Sequence, residues 1–501
     1  MTKLKKYLLW FAQEHIDFRY AEIKSIIQLF NLNLEFCDLE INVSLSVSLK
    51  KLWNTIKIYD FLVKKPYWIV ELPNEEEAKK LASRSVSMRC ILELWSYGKR
   101  DEMHSNLKKY IKEHKETEQY FCEKLSFKIN VETYNKHFTQ KEKVQKIENF
   151  DYLPLRGKVN LKAPDVEWWY IEFYGMNPKD VPNDPFSTIF ARWVADGQRN
   201  LINELSLKNR KFIGNTSMDA QLSLLMANQA LVKPSDLVFD PFVGTGSLLV
   251  SAAKFGAYVM GTDIDYMMLH AKSRPSRISQ KIRDSDESIK ANLKQYDCEK
   301  RFIDVFVSDF SNPVWRDNIE FDSIITDPPY GIREATSKID TKISEKINSR
   351  DPNAPHYPST SPYSLHNLYR DLLRFSAKHL KMNCRLVCWL PFHQDDYSNE
   401  AIPQHPCLKL VANSEQRLCG QTSRRLLTYT KVRNIDDYDT TFEQSSEFHD
   451  FRERYFYNGQ SRKERKIERA KLREIGKIEA IKHGKTLDEN GKVISNKKKS
   501  N

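Results

Sequence analysis

No run of about 18 consecutive apolar residues occurs in this 501-residue chain, so a membrane-spanning helix is excluded. The first ten residues carry basic side chains and Leu8-Leu9-Trp10, but Gln13, Glu14 and His15 cut the apolar stretch short. No small-residue cleavage site follows, so a secretory leader is not expected. Cysteine is sparse: Cys37, Cys90, Cys122, Cys298, Cys384, Cys388, Cys407 and Cys419 are scattered along the sequence. That usage predicts reduced thiols in a cytosolic or nuclear protein, and a cytoplasmic one is expected. Cys384 and Cys388 stand four apart in an apolar segment with no second ligand pair nearby, so packing is expected and no metal site. His356 and His393 also have no metal-like partners in sequence and read as loop histidines. No internal repeat is present.

What the chain does have is aromatic core material and positive charge. Hydrophobic residues make up 40% of it, with 26 Phe, 23 Tyr and 9 Trp, enough for true cores. At roughly 100–200 residues per domain the length predicts two to four units. The net charge is +12, and residues 461–501, with 14 basic and 6 acidic side chains, hold +8 of it. Such a tail suits nucleic acid or another anionic surface, or is simply a solvated charged helix.

The first 175 residues read as an α+β region. Strands are expected at 6–11, 34–39, 67–72 and 126–133, and a helix at 19–30. Asn74 followed by three glutamates predicts another helix start, and Thr139 with Glu142 forms the Thr-x-x-Glu signature of a third. Residues 176–210 read as a linker helix. From 211 to 435 short apolar strands (236–240, 258–263, 304–308, 321–326, 385–390) alternate with helices (247–255, 369–380), predicting a parallel sheet covered on both faces. Residues 436–501 form a polar, basic, partly disordered tail.

Four motifs fall at successive strand ends. Asp240-Pro-Phe-Val-Gly-Thr-Gly-Ser247 joins a strand to a helix, and Gly244 and Gly246 allow close backbone approach to a ligand. It lacks both the third glycine of a dinucleotide loop and the lysine of a P-loop, so a smaller nucleoside-like cofactor fits better than a pyrophosphate. Asp263 ends the next strand, where a ribose diol is held. Ser308-Asp309-Phe310 ends the third, placed for an adenine amino group and ring face. Asp327-Pro-Pro-Tyr330 ends the fourth: two prolines stiffen the turn and leave its carbonyls free, Asp327 adds a carboxylate, and Tyr330 a stacking face. Together they suit a planar base with an exocyclic amine.

That order resembles the Rossmann-like, S-adenosylmethionine-dependent amino-methyltransferases, whose fourth motif is Asn/Asp-Pro-Pro-Tyr/Phe. The motif is shared by enzymes of adenine N6 and guanine N2. Arg192-Trp-Val-Ala-Asp-Gly-Gln-Arg199, Arg210-Lys-Phe-Ile-Gly-Asn-Thr-Ser-Met-Asp219 and Asp327-Pro-Pro-Tyr-Gly-Ile-Arg-Glu334 narrow it. They resemble the catalytic subunits of eukaryotic tRNA guanine-10 N2-methyltransferases. The likeness runs from about residue 7 to about 429, is most specific over 190–335, and departs at 42–51, at 339–358 and in the tail.

The resemblance implies a class I methyltransferase domain behind a ferredoxin-like plus THUMP region that reads tRNA. It places Phe212, Asn215, Thr216, Ser217, Met218, Asp240, Val243, Gly244 and Gly246 around the methionine end of the cofactor. Asp263 would take the ribose, Ser308, Asp309 and Phe310 the adenine, and Asp327, Pro328, Pro329 and Tyr330 the target guanine. Arg192, Arg199 and Arg333 are candidate RNA contacts; for Arg192 and Arg199 an amphipathic helix with a buried Trp193 serves as well. The family also implies a small zinc-binding activator subunit as partner. The competing readings are an N6-adenine methyltransferase on RNA or DNA and a non-catalytic RNA-binding scaffold. Neither explains all the motifs.

Overall fold

The computed structural model describes residues 4–37, 64–332, 334–340, 359–418 and 422–435, with isolated positions between 451 and 494. Two seven-stranded sheets organise it. The first contains β1 (Lys5–Phe11), β2 (Glu35–Cys37), β3 (Tyr67–Leu72), β4 (Met88–Gly98), β5 (Phe127–Tyr134), β6 (Val166–Phe173) and β7 (Ser187–Asp196), in the order β2-β3-β1-β4-β7-β6-β5. Its helices are α1 (Arg19–Phe30), α2 (Glu75–Ala82), α3 (Arg100–Glu113) and α4 (Gln140–Glu148). The helix starts follow the sequence logic. Asn74 accepts the Glu77 amide, and Thr139 and Glu142 cap each other reciprocally. Ile129 and Val131 bury against Trp95, Trp168 and Phe190, as their alternation predicts.

The ferredoxin-like and THUMP parts share one continuous sheet, because β7 pairs with both β4 and β6. One expectation is corrected here. The 176–210 segment is no linker helix: it contributes the ten-residue strand β7, followed by a short helix at Asn200–Glu204. The alternation Thr188, Phe190, Arg192 and Ile189, Ala191, Trp193 suits a strand with both faces covered, and tertiary pairing decides it.

The second sheet contains β8 (Leu237–Asp240), β9 (Tyr258–Asp263), β10 (Phe302–Val307), β11 (Phe321–Thr326), then, beyond a small separate hairpin of β12 (Ser337–Ile339) and β13 (Thr360–Pro362), β14 (Leu380–His393), β15 (Leu408–Arg417) and β16 (Thr422–Lys431). Its order is β10-β9-β8-β11-β14-β16-β15. The first five run parallel; β16 is antiparallel to β14, and β15 to β16. The sheet is therefore mixed, not wholly parallel. Helices α5 (Ala220–Gln229), α6 (Ser247–Lys254), α7 (Ile289–Gln295) and α8 (Leu365–His379) cover it, and two cores form on its opposite faces. His393, expected in a loop, is the buried last residue of β14, paired with Thr422.

The strand order reverses between β8 and β11, whose connections leave in opposite directions and open a crevice beyond their carboxyl ends. The two sheets are locked together. Arg84 reaches from the α2–β4 loop to the Val232 carbonyl at 2.8 Å and Asn228 at 3.1 Å. Glu22 on α1, fully buried, accepts from the Val86 amide at 2.7 Å and from Asn228 at 2.8 Å. Arg385 on β14 donates to Ser25 and the Gln229 carbonyl. A buried polar joint of this kind fixes orientation because any other docking strands its charges.

Candidate functional site

Beyond the carboxyl ends of β8 and β11 lies a cleft of about 450 Å3. Asn215, Thr216, Ser217, Met218, Asp240, Val243, Gly244, Asp327, Pro328, Pro329 and Tyr330 all line it, so three of the sequence segments converge. The convergence has local causes. The Ser217 hydroxyl takes the Gly214 amide at 2.8 Å and pairs with Thr245 at 2.6 Å, tying the segment before α5 to the glycine turn. Thr326 donates to Asp240 at 2.7 Å and joins the ends of β11 and β8.

The two glycines do different things. Gly244 has φ +50°, and a Cβ there would meet nothing within 4 Å: its outer face is open to a ligand. Gly246 has φ +76°, and a Cβ would stand 2.7 Å from Ile289 Cγ2. Its smallness lets α7 pack against the turn, and it is not among the residues that line the cleft.

The remaining sequence candidates lie outside the cleft lining. Asp263 accepts the Gly244 amide at 2.8 Å and the Asp265 amide at 3.0 Å, standing half-buried behind the turn. Ser308 donates its amide to the Asp263 carbonyl. Asp309 is turned to backbone: it accepts from Ser311 and Ile339, anchoring the β12 hairpin. Phe310 packs against Phe242 and Phe375, and Phe212 is fully buried beneath the Arg283 guanidinium.

Arg192 is corrected more sharply. Arg192 is 8% exposed on β7, donates to Glu93 at 2.9 Å and to Glu75, and covers the Tyr120 ring. Neither a free RNA contact nor an amphipathic helix describes it. Arg199 spans Glu14 at 3.0 Å and the Val86 carbonyl at 3.3 Å. Arg333 and His356 lie outside the described residues, as does residue range 42–51.

Sequence reasoning missed Arg424. From β16 it enters the cleft, with Nη1 3.3 Å from both Asp327 Oδ2 and Tyr330 Oη. Tyr330 also donates to Asp327. The only signal was a pair of arginines inside a β-branched and leucine-rich run. Glu334 accepts from Thr216 and closes another wall. Tyr455 also lines the cleft and Phe451 is 5% exposed, so these tail positions belong against the catalytic unit.

The cleft gathers several acidic groups around one arginine. Asp240, Asp327 and Glu334 line the cleft and Asp263 stands behind it. Burial pushes Asp240 up to about 8 and Asp263 up to about 6, and raises Asp327 and Glu334 as well. Arg424 and the Tyr330 hydroxyl offset part of that cost at Asp327. Carboxylates crowded in a desolvated cleft favour a cationic guest.

Fold and site together define a Rossmann-like amino-methyltransferase behind a separate α+β sheet. Residues 208–349 match the family described as RMKL-like, methyltransferase domain, and residues 47–199 match the Tmrp11 THUMP N-terminal domain. Relatives agree along nearly the whole chain. The tRNA (guanine(10)-N(2))-methyltransferase TRMT11 of Gallus gallus is 44% identical over 465 residues, 90% of this chain and 95% of that one. The Homo sapiens protein of the same name is 43% identical with the same coverage, and the Saccharomyces cerevisiae tRNA (guanine(10)-N(2))-methyltransferase is 33% identical over 91% of this chain and 100% of its own. The chain belongs to the tRNA (guanine(10)-N2)-methyltransferase family.

Proposed function

We propose that the cleft between β8 and β11 transfers a methyl group to the exocyclic N2 of guanosine 10 in tRNA. The observation that carries this is the meeting of the glycine turn and Asp327-Pro-Pro-Tyr330 in one acid-lined cleft. The cofactor is S-adenosylmethionine. Its volume class and positive charge fit a 450 Å3 space walled by Asp240, Asp327 and Glu334, with open room above Gly244. When bound, it supplies an electrophilic methyl group on a sulfonium sulfur.

In this reading Asn215, Thr216, Ser217, Met218, Asp240, Val243 and Gly244 hold the methionine end, and Asp263 takes the ribose through its remaining lone pairs. Asp309 reaches the adenine only if it shares its carboxylate with Ile339. Asp327 and the Pro328 carbonyl accept both hydrogens of guanine N2, draw its lone pair out of conjugation and aim it in line. The bond to N2 would form as the methyl's bond to sulfur breaks and leaves its electron pair on a neutral thioether; Asp327 takes the surplus N2 proton and passes it to solvent, while Tyr330 stacks on the ring. Burial-raised basicity makes Asp327 a better acceptor than an exposed aspartate. A duplexed guanine must swing out to reach it.

The β1–β7 sheet is the tRNA-reading unit in this reading, spanning residues through 196. The small zinc-binding activator implied by the sequence resemblance is the proposed partner. What supports a partner is the open edge strand β10, where Ile303 is 49% and Val307 42% exposed, with Val314 nearby in sequence at 65%. No helix among the described residues is long and apolar enough to cross a membrane.

Tritiated methyl transfer to unmodified tRNA, with and without that subunit, tests the whole reading once the product nucleosides are resolved by mass spectrometry. The expected product is N2-methylguanosine, and Asp327→Ala should abolish it while cofactor binding survives. N6-methyladenosine as product, or more than a few per cent activity in the variant, overturns it.

A further inference from the structure

We propose that Arg424 is a positioning residue of the methyl-transfer site: its guanidinium, clamped on three sides, holds the Asp327 carboxylate ionised and aimed at the target amine. The inference rests on the function just proposed.

The clamp is made of groups that take no part in holding the base. The Arg424 guanidinium lies flat over Trp389, 4.0 Å from the ring centroid. Its Nε donates to Gln416 at 2.7 Å, and Nη2 points to the Met218 sulfur at 3.5 Å. Nη1 is left for Asp327 Oδ2 and the Tyr330 oxygen. An arginine held this way loses little further freedom when the site works, and its planar fork keeps direction as well as charge.

The need for it follows from the division of the Asp327 oxygens. Tyr330 donates to Oδ1 and Arg424 to Oδ2. A base stacking on Tyr330 with its amine on Asp327 must take over Oδ1 from the phenol. Oδ2 then remains on Arg424, which keeps the carboxylate from rotating at the moment Tyr330 lets go.

Charge points the same way. The groups facing Asp327 are Asp240 at the end of β8, Glu334 beyond the loop, Cys388 on β14, Tyr369 on α8, and Tyr330 beside it. All of these are neutral or acidic. Among the described residues Arg424 is the cation in contact with Asp327. Without it, burial would favour the protonated form, which is no longer free to take up the proton of the target amine.

The platform under Arg424 reaches the other sheet. The Trp389 indole N–H points to the Met226 sulfur at 3.1 Å, and its ring meets Phe18, 5.8 Å away, from the segment leading into α1. Docking of the tRNA-reading unit therefore supports the plate on which the guanidinium rests.

The test uses the full-length chain in the preparation that methylates unmodified tRNA, with Arg424→Gln and Arg424→Lys. The Gln variant should lose about tenfold or more in kcat, keep its KM for tRNA within about twofold, and shift the acid limb of kcat/KM upward by about one pH unit. The Lys variant keeps the charge, so its acid limb should stay with the unsubstituted protein and its kcat should partly recover. A Gln variant with an unmoved limb, or a Lys variant shifted as far as Gln, overturns the proposal. If the Gln variant does not fold, the limb of the Lys variant alone decides. A product other than N2-methylguanosine in the unsubstituted protein refutes the functional reading instead, and the limb shift still judges Arg424.

Discussion

Replacing Asp240 with Asn should stabilise the protein near neutral pH, although it alters a residue of the cofactor cleft. Asp240 is 1% exposed, and both of its donors, the Thr326 hydroxyl and the Phe242 amide, go to Oδ1. Burial first, then the charges of Asp263 and Asp327, push its carboxyl from 3.8 up to about 8. Below 3.8 the folded and unfolded chains both hold the proton. Between 3.8 and 8 the unfolded chain has released it and the folded chain has not. Folding then requires proton uptake, and stability falls by about 1.4 kcal/mol for each pH unit, or about 4 kcal/mol by pH 7. Asparagine keeps the Oδ1 acceptor and places an amide where the protonated oxygen stood, with nothing to titrate. The gain of Asp240→Asn should therefore be near zero at pH 4 and grow steadily to pH 8. Urea and thermal midpoints of the cofactor-free, full-length chain at half-unit steps would measure it, since bound ligand would add its own stabilisation. An offset independent of pH, or one that shrinks as pH rises, refutes the reasoning.

Arg192→Met removes a buried guanidinium and leaves Glu93 with only Lys5 and the Trp95 indole, so it should cost about 3 kcal/mol. Its tRNA affinity should keep the same salt slope; normal unfolding with a shallower slope would instead make it a phosphate contact. Gly246→Ala combines a left-handed φ with a 2.7 Å approach to Ile289 Cγ2, and a loss of about 1–3 kcal/mol is expected, smaller in an Ile289→Ala background, which removes that methyl. An equal drop in thermal midpoint in both backgrounds would show that the contact is not the cause.

Much of this was legible because local chemistry and tertiary structure ask for the same thing. The caps at Asn74 and Thr139 stand as their sequence signatures predict. So do α1, β3, β9 and β11, which match their expected ranges. The glycine turn and the Pro-Pro turn were found because each constrains the backbone on its own, before any neighbour arrives. That the two meet in one cleft depends on the sheet order, which sets β8 beside β11 and which strand-and-helix alternation alone does not give.

What escaped notice was whatever gains meaning only from a partner distant in sequence. Strand β7 contains Arg192 at a position that looks solvent-facing until Glu75 and Glu93, about 100 residues earlier, are brought beside it. Asp309 looked free for adenine because the Ile339 amide that occupies it is 30 residues on. Arg424 shows the principle at the site itself. Its 97-residue separation from Asp327 hides the pairing, and an arginine inside an apolar run reads as an interruption of the strand. Such a charge is tolerated there only because Trp389, Gln416 and Met218 each give it a partner. A buried cation held so fully, beside the carboxylate that needs one, costs desolvation that packing alone would not ask the fold to bear. The expense makes sense where Asp327 must stay charged although burial favours its proton, and that is the reason to look for its effect in the acid limb rather than in stability.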